Sequence, residues 1–181
     1  MMINQDTSAL ILIDYQTRLM PSIHEGEEAI ASALFLAKVA KALQIPILGT
    51  EQNPEGLGQN NERIKVFCDY TLVKHSFNGS ADGLATNIRE LNPLITQVVL
   101  AGCEAHVCLM QTALGLQAQG YEVAVVPEAC SSRRVQDKIL AVDRMSHQKI
   151  TMLGAEMLAF EWLKTSEHSQ FKNILNLIKN R

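Results

Sequence analysis

Residues 97–126 read QVVLAGCEAHVCLMQTALGLQAQGYEVAVV, and this stretch decides the fold that the sequence predicts. It begins with an apolar run at 97–100, continues with a helical stretch at 106–119, and ends with a second apolar run at 122–126. Gly120 follows the helical stretch, and glycine is a common signal for a helix C-terminus. Short apolar runs without polar alternation are typical of strands buried on both faces of a parallel sheet. The stretch therefore predicts a strand, a helix and a parallel strand.

The same alternation of strands and helices extends over the whole chain. Further strands are predicted at residues 9–13, 45–49, 71–73 and 150–153. Further helices are predicted at residues 30–40, from a capping Asp82 to Leu91, at 135–147, at 155–163 and in an amphipathic tail at 171–178. Such alternation implies right-handed βαβ units. We therefore predict an α/β fold, a three-layer α/β/α sandwich with a mainly parallel, six-stranded, Rossmann-like sheet, in a single domain at residues 1–181.

Composition argues against several classes of function. Of the 181 residues 47% are hydrophobic but only 5% aromatic, so the core should be aliphatic. A net charge of −3 with scattered Lys and Arg residues does not favour nucleic-acid or membrane binding. No apolar run approaches the roughly 20 residues of a membrane span, and residues 1–7 do not resemble a signal peptide. We expect a cytoplasmic protein that binds neither nucleic acid nor membrane.

The four cysteines are Cys68, Cys103, Cys108 and Cys130. They form no C-x-x-C pair and no cluster with the spacing of a structural zinc site. In a reducing cytosol they should be free thiols. Because an ordinary free cysteine is a small buried hydrophobe, a functional thiol needs independent support.

Three polar residues follow predicted strands. Asp14 ends the first strand, Lys74 ends the third, and Cys108 lies just past the fourth, in the first turn of its helix. Ligands of such folds bind beyond the carboxyl ends of the strands, so an acid, an amine and a thiol could converge there. Each residue also has a structural interpretation: Asp14 as a turn cap, Lys74 as a solvated strand-end residue, and Cys108 as a buried helix residue.

Residues 101–133, AGCEAHVCLMQTALGLQAQGYEVAVVPEACSSR, resemble the signature of the isochorismatase-like hydrolases. In that signature a strand, a tight turn, a nucleophilic Cys and a helix follow one another. Thr112-Ala113 and Gly120-Tyr121 match its Thr-Ala and Gly-Tyr pairs, and ILIDYQ at 11–16 and LVKHSF at 72–77 match its strands that end in Asp and Lys.

The resemblance spans nearly the whole chain. Within the superfamily the chain is similar to the subgroup of isochorismatase-domain-containing proteins through TEQNPEGLG at 50–58, EAHVC at 104–108 and HSQFKNILNLIK at 168–179. Members of the superfamily are usually oligomers, so the resemblance also implies a homo-oligomer. The fold that it implies is the isochorismatase-like hydrolase fold.

The resemblance implies a Cys-Asp-Lys triad that cleaves an amide-type C–N bond of a small molecule through a covalent acyl-enzyme. Cys108 would be the nucleophile, Asp14 the general base, and Lys74 the partner of Asp14 that steadies the thiolate. Because a helix N-terminus and a lysine lower the pKa of a thiol, we expect an activated Cys108. The backbone N–H groups of Glu104 and Cys108 would hold the oxyanion, with a cis peptide bond between Cys103 and Glu104.

Metal and cofactor binding are not expected. Nicotinamidases of the superfamily carry an Asp-x-His metal motif where this chain has Glu51-Gln52-Asn53. We therefore predict no catalytic metal and no cofactor, and disfavour nicotinamidase activity. Gln16, Glu51, Gln52 and Phe77 are candidates for substrate contacts because they lie near the triad in the chain. The carboxylates of Glu51 and Glu104 would disfavour isochorismate, a dicarboxylate, unless they are paired.

Two other functional classes are compatible with an α/β fold of this size. A catalytically silent or regulatory interaction protein could keep this fold without turnover, although a scaffold has no need of Asp, Lys and Cys together. A dinucleotide-binding domain would carry G-x-G-x-x-G after its first strand, where this chain has ILIDYQT at 11–17. We retain the first alternative and reject the second.

Overall fold

Six strands form one all-parallel sheet at the centre of the structure, a computed structural model that describes residues 1–181. Their order in the sheet is β3-β2-β1-β4-β5-β6. The strands are β1 Ser8–Ile13, β2 Ile47–Gln52, β3 Tyr70–Lys74, β4 Gln97–Cys103, β5 Glu122–Ser131 and β6 Thr151–Met152. All six predicted strands are present, and the α/β fold prediction is confirmed.

β1 lies in the middle of the sheet, and all six of its residues are buried. It pairs with β2 on one side, where Leu10 faces Ile47, and with β4 on the other, where Ser8 faces Gln97. From β1 the chain winds outward first through β2 and β3 and later through β4 to β6. In doubly wound sheets the crevice at such a reversal, beyond the carboxyl ends of the strands, is the usual ligand site.

Eight α-helices cover the two faces of the sheet. They are α1 Gly26–Ala42, α2 Pro54–Leu57, α3 Glu62–Lys65, α4 Leu84–Leu91, α5 Met110–Ala118, α6 Val135–His147, α7 Ala155–Leu163 and α8 Phe171–Lys179. Leu10 and Leu12 pack into one apolar cluster with α1 and α7, whereas Ile11 and Ile13 pack into another with α4, α5 and α6. Each fully buried Leu or Ile contributes about 1.5–3 kcal/mol, so the apolar runs hold the three layers together.

The tail helix α8 packs on the domain, because Ile174 is fully buried and Phe171 and Ile178 contact the same cluster as α1. None of the helices is both long enough and apolar enough to cross a bilayer.

Two local expectations differ from the structure. Asp82 does not cap α4: it lies in a preceding 3-10 turn, and its carboxylate accepts hydrogen bonds from the backbone N–H groups of His75 and Ser76, each at 2.8 Å. The predicted helix at 106–119 is two pieces, a π-helical turn at Ala105–Leu109 and then α5. The first difference arises from the contact of Asp82 with the backbone of the preceding loop, which local sequence patterns do not encode.

Candidate active site

The carboxyl edge of the sheet brings Asp14, Lys74 and Cys108 together. Asp14 directly follows β1 and takes a left-handed conformation with φ 50°, which aspartate tolerates better than most residues. Lys74 is the last residue of β3, and Cys108 lies in the π-helical turn that follows β4. Strand ends thus gather residues that are far apart in sequence.

Asp14 and Lys74 form a completely buried ion pair. Lys74 Nζ lies 2.8 Å from Asp14 Oδ2, and both side chains have 0% exposure. Thr50 Oγ1 donates to Asp14 Oδ1 at 2.6 Å, and Lys74 Nζ donates to Gln52 Oε1 at 2.7 Å. Buried charges persist when they are paired and hydrogen-bonded. The pair therefore excludes a solvated Lys74 and an Asp14 that caps a turn.

Cys108 faces this pair, but its thiol is not activated in the way the sequence led us to expect. The residue is 7% exposed, and its Sγ lies 4.0 Å from Gln52 Oε1. Burial raises the pKa of Cys108 to about 12; the negative charge of Asp14 also raises it, and the positive charge of Lys74 lowers it. The expected low pKa of Cys108 was wrong, because desolvation outweighs the lysine. The thiol is protonated at neutral pH, beside a carboxylate that can accept its proton.

The turn between β4 and Cys108 directly precedes the candidate nucleophile in the chain. The peptide bond that joins Cys103 to Glu104 is cis, as the resemblance implied. The backbone N–H of Glu104 donates to no group of the chain. The Glu104 carboxylate accepts hydrogen bonds from Arg133 N at 2.9 Å and from Arg133 Nε at 3.1 Å. Its negative charge is therefore paired.

Gly102 permits the close approach of β4 to β1 at this edge, and the sequence reasoning missed it. Its φ is 151°, and a Cβ atom there would lie 2.2 Å from the carbonyl oxygen of Ile13. The pairing of β4 with β5 shifts register between Leu100 and Gly102. A glycine inside a strand often marks a bulge or a close backbone approach, so the signal was present in the sequence.

The candidate substrate-contact residues divide into two groups. Gln16 is fully buried and exchanges hydrogen bonds with the backbone of Gln52 at 3.0 and 2.8 Å, and Glu51 accepts from Asn60 N at 2.8 Å. Both lie behind the site and support it. Gln52 lies at its centre, because its Oε1 faces Lys74 and Cys108 while its Nε2 donates to the His75 carbonyl at 2.7 Å. Phe77 is 53% exposed in the loop after Lys74.

No group of three or more His, Cys, Asp or Glu side chains is arranged to hold a metal ion. His106, two residues before Cys108, places its Nδ1 3.0 Å from Ser132 Oγ. A surface cavity of about 690 Å³ lies beside the start of α1, between residues such as Met20 and Glu28, and does not include Asp14, Lys74 or Cys108. We place the site by its chemistry, because convergent buried charges identify a reaction centre better than cavity size does.

Comparison with known proteins places this geometry in a family. Residues 8–157 match the family model described as the isochorismatase domain. The chain belongs to the isochorismatase family. It is 34% identical over 174 residues to isochorismatase domain-containing protein 1 of Salmo salar, covering 96% of this chain and 61% of that protein. It is 32% identical over 174 residues to isochorismatase domain-containing protein 2 of Rattus norvegicus, covering 96% and 82%.

The share of a relative's length that the chain spans differs from one relative to another. The chain spans 61% of the length of the domain-containing protein 1 of Salmo salar and of Danio rerio.

Solved structures of other proteins share this fold over nearly the whole chain. The MAR1 ribonuclease of Caenorhabditis elegans is 30% identical with a TM-score of 0.91, over 99% of this chain and 93% of that one. The YcaC gene product of Escherichia coli, described as an octameric hydrolase of unknown specificity, is 20% identical with a TM-score of 0.83, over 99% and 95%. At that identity the second likeness supports the fold alone.

Proposed function

We propose that this isochorismatase-family chain is a cysteine hydrolase that cleaves an amide-type C–N bond of a small molecule. Cys108 is the nucleophile, Asp14 the general base and acid, and Lys74 the cation that orients Asp14. The observation that carries the proposal is the buried Asp14–Lys74 ion pair beside the Cys108 thiol. A buried ion pair is not needed to stabilise a fold, because apolar residues of similar size are often as stabilising.

The first half of the reaction forms a thioester. The Cys108 sulfur attacks the substrate carbonyl carbon while its proton passes to the Asp14 carboxylate, and the carbonyl electrons move onto oxygen. The backbone N–H groups of Glu104 and Cys108 hold this oxyanion, a contribution of about 10²–10³-fold when one donor is removed. When the intermediate collapses, the C–N bond breaks and the leaving nitrogen takes the proton from Asp14.

The second half releases the acid. At this stage Asp14 is again a carboxylate. Water attacks the thioester carbon and gives a proton to Asp14. Collapse of this intermediate breaks the C–S bond, and the Cys108 sulfur recovers the proton from Asp14. The balance is an amide and water in, a carboxylic acid and an amine out. Lys74 keeps one position throughout, because Asp14 Oδ2 and Gln52 Oε1 both accept hydrogen bonds from its Nζ.

The ion pair of Glu104 with Arg133 affects which substrate charges the site can accept. Because Arg133 neutralises that carboxylate, the repulsion of an anionic substrate is weaker than the sequence alone suggested. We therefore leave both neutral and anionic amides within the proposed class. A homo-oligomer, a cytoplasmic location, and the absence of a cofactor or metal remain part of the proposal.

The test is trapping of the acyl-enzyme. The wild-type chain and the Cys108→Ala and Asp14→Asn variants are mixed with a panel of p-nitrophenyl esters and p-nitroanilides, and intact and peptide mass spectra locate any acyl group. We expect an adduct at Cys108 in the wild type, none in Cys108→Ala, and slow formation in Asp14→Asn. An adduct at another residue, or none with any compound, would favour the catalytically silent interaction protein.

The same variants test a second candidate function, ribonuclease activity, which is suggested by the name of the Caenorhabditis elegans relative. Single-stranded RNA is added to the panel as a substrate. RNA cleavage that disappears in Cys108→Ala would replace the amide proposal. We expect none, because phosphate contacts need a cluster of Lys and Arg residues, and this chain has a net charge of −3 with Arg133 already paired.

A further inference from the structure

The loop after β3, residues 75–83, connects Lys74 to α4 and is anchored on the nucleophile's helix. We call it the β3–α4 loop. Thr112 in α5 has 0% exposure and contacts this loop twice. Its Oγ1 accepts a hydrogen bond from the backbone N–H of Gly79 at 2.9 Å and donates to the carbonyl of Phe77 at 3.4 Å. Both bonds join the segment after Lys74 to α5, the helix that directly follows the π-helical turn of Cys108.

Thr112 follows Cys108 by four residues, which is about one helical turn. Residues at this spacing lie on the same face of a helix. Cys108 lies in the π-helical turn that runs directly into α5, so the β3–α4 loop is held about one turn beyond the sulfur. A β-branched threonine is stiff in a helix, so its hydroxyl is a fixed point for the loop.

A second contact on α5 supports the first. Asn78 of the β3–α4 loop lies against Gly115, where a Cβ atom would be 2.4 Å from Asn78 Oδ1. Asn78 in turn accepts a hydrogen bond from the backbone N–H of Ser80 at 2.9 Å. Glycine is unfavourable inside a helix relative to alanine. Its presence at position 115 is explained by the space that the loop needs.

The other end of the β3–α4 loop is tied to the ion pair. Asp82 holds the backbone N–H groups of His75 and Ser76, and the His75 carbonyl accepts from Gln52 Nε2. Gln52 Oε1 then accepts from Lys74 Nζ. Thr112 is thus connected to the amine that faces Asp14 by hydrogen bonds at the two ends of the β3–α4 loop and by the short backbone between them.

We propose that Thr112 is a positioning residue that fixes Lys74 and Gln52 relative to Cys108 by anchoring the β3–α4 loop on α5. This inference rests on the proposed function, since it assigns Thr112 a purpose within that reaction. The hydroxyl touches no reacting atom and acts only through the loop.

The experiment compares Thr112→Val, which keeps the shape but removes the hydroxyl, with Thr112→Ser, which keeps the hydroxyl. Thr86→Val, on the exposed face of α4, is the matched control. Iodoacetamide labelling of Cys108 is followed by peptide mass spectrometry at fixed pH, and hydrogen exchange reports on the Gly79 amide. We expect Thr112→Val to slow labelling about tenfold, as a displacement of the lysine worth one pKa unit would, and to speed exchange at Gly79. Thr112→Ser and Thr86→Val should behave like the wild type.

The same Thr112→Val change is then made in a background that carries Asp14→Asn and Lys74→Met together. If Thr112 acts through the ion pair, it should have less than about a twofold effect there, because coupled sites are not additive. An equal effect in both backgrounds, or faster labelling in both, would mean that the loop only shields the sulfur and would overturn the proposal. A freely exchanging Gly79 amide with wild-type labelling would also overturn it.

Gly115→Ala provides an independent variant if Thr112→Val fails to fold. Alanine favours the helix but displaces Asn78, so slower labelling in a folded protein supports the same mechanism, and wild-type labelling contradicts it. None of these measurements requires an acyl-enzyme. Failure of the hydrolase proposal, a wild type that is never acylated, is therefore distinguishable from failure of the Thr112 proposal.

Discussion

At the β1–β3 half of the carboxyl edge, Lys74 and Asp14 pair without any exposure, whereas at the β4–β5 half Glu104 pairs with an Arg133 side chain that is 63% exposed. The first pair cannot exchange its partners for water, so each charge depends on the other. In the second pair the Arg133 side chain is open to water and can leave at little cost, while the Glu104 carboxylate, only 10% exposed, keeps the backbone N–H of Arg133. The buried half is therefore suited to hold a proton acceptor in place, and the exposed half to meet variable ligands.

The largest expected effect is the loss of one charge from the buried pair. Lys74→Ala should destabilise the chain by about 3–5 kcal/mol, because it leaves a buried, unpaired carboxylate. Urea unfolding measures this, and Asp14→Asn combined with Lys74→Met should recover most of the stability without restoring acylation. A Lys74→Ala variant with wild-type stability would show that the pair is not buried in solution.

A smaller but still clear effect is expected where β4 approaches β1. Gly102→Ala places a Cβ atom 2.2 Å from the Ile13 carbonyl oxygen, and crowding of a packed core costs about 1–3 kcal/mol. Because Asp14 follows Ile13, acylation should fall as well. Thermal unfolding and acyl-trapping rates test this, with Gly115→Ala as a second glycine variant at a different contact. If Gly102→Ala is acylated at the wild-type rate, the close contact between β4 and β1 is not needed for the reaction.

The smallest effect is expected at the exposed pair. Arg133→Gln should change the free energy of unfolding by less than about 1 kcal/mol, since the exposed guanidinium contributes little and the backbone N–H of residue 133 still donates to Glu104. Its effect on substrate preference should be larger, because the Glu104 charge would no longer be neutralised. Relative acylation rates for anionic and neutral esters measure the substrate preference. A loss of stability as large as that of Lys74→Ala would contradict the difference between the two halves.

The strands, two of the helices and the three central residues of the site were predictable from sequence. The six strands were predicted because each is a short apolar run, and α6 and α7 matched their predicted bounds, because an amphipathic pattern fixes a helix locally. Asp14, Lys74 and Cys108 were singled out because strand ends share an edge and a family signature covers them.

What depended on three-dimensional contacts was predicted less well. Asp82 looked like a helix cap but holds a loop. The pKa of Cys108 was expected to be low because the nearby charges were foreseeable, whereas the degree of burial was not. The roles of Gly102 and Thr112 depend on which backbone lies against them, and no local pattern encodes that.

The most direct test of the central claim is the pH dependence of acyl-enzyme formation at Cys108 between pH 6 and 9, in the wild type and in Asp14→Asn. With a thiol pKa of about 12, the thiolate fraction rises tenfold per pH unit throughout this range. If the Asp14 carboxylate takes the proton, the wild-type rate should be nearly independent of pH. At pH 7 the Asp14→Asn rate should be about 10²–10⁴-fold lower, and it should rise with pH, because the thiolate must then form without a neighbouring base. A wild-type rate that itself rises tenfold per unit, or an Asp14→Asn variant that acylates as fast as the wild type, would contradict the account.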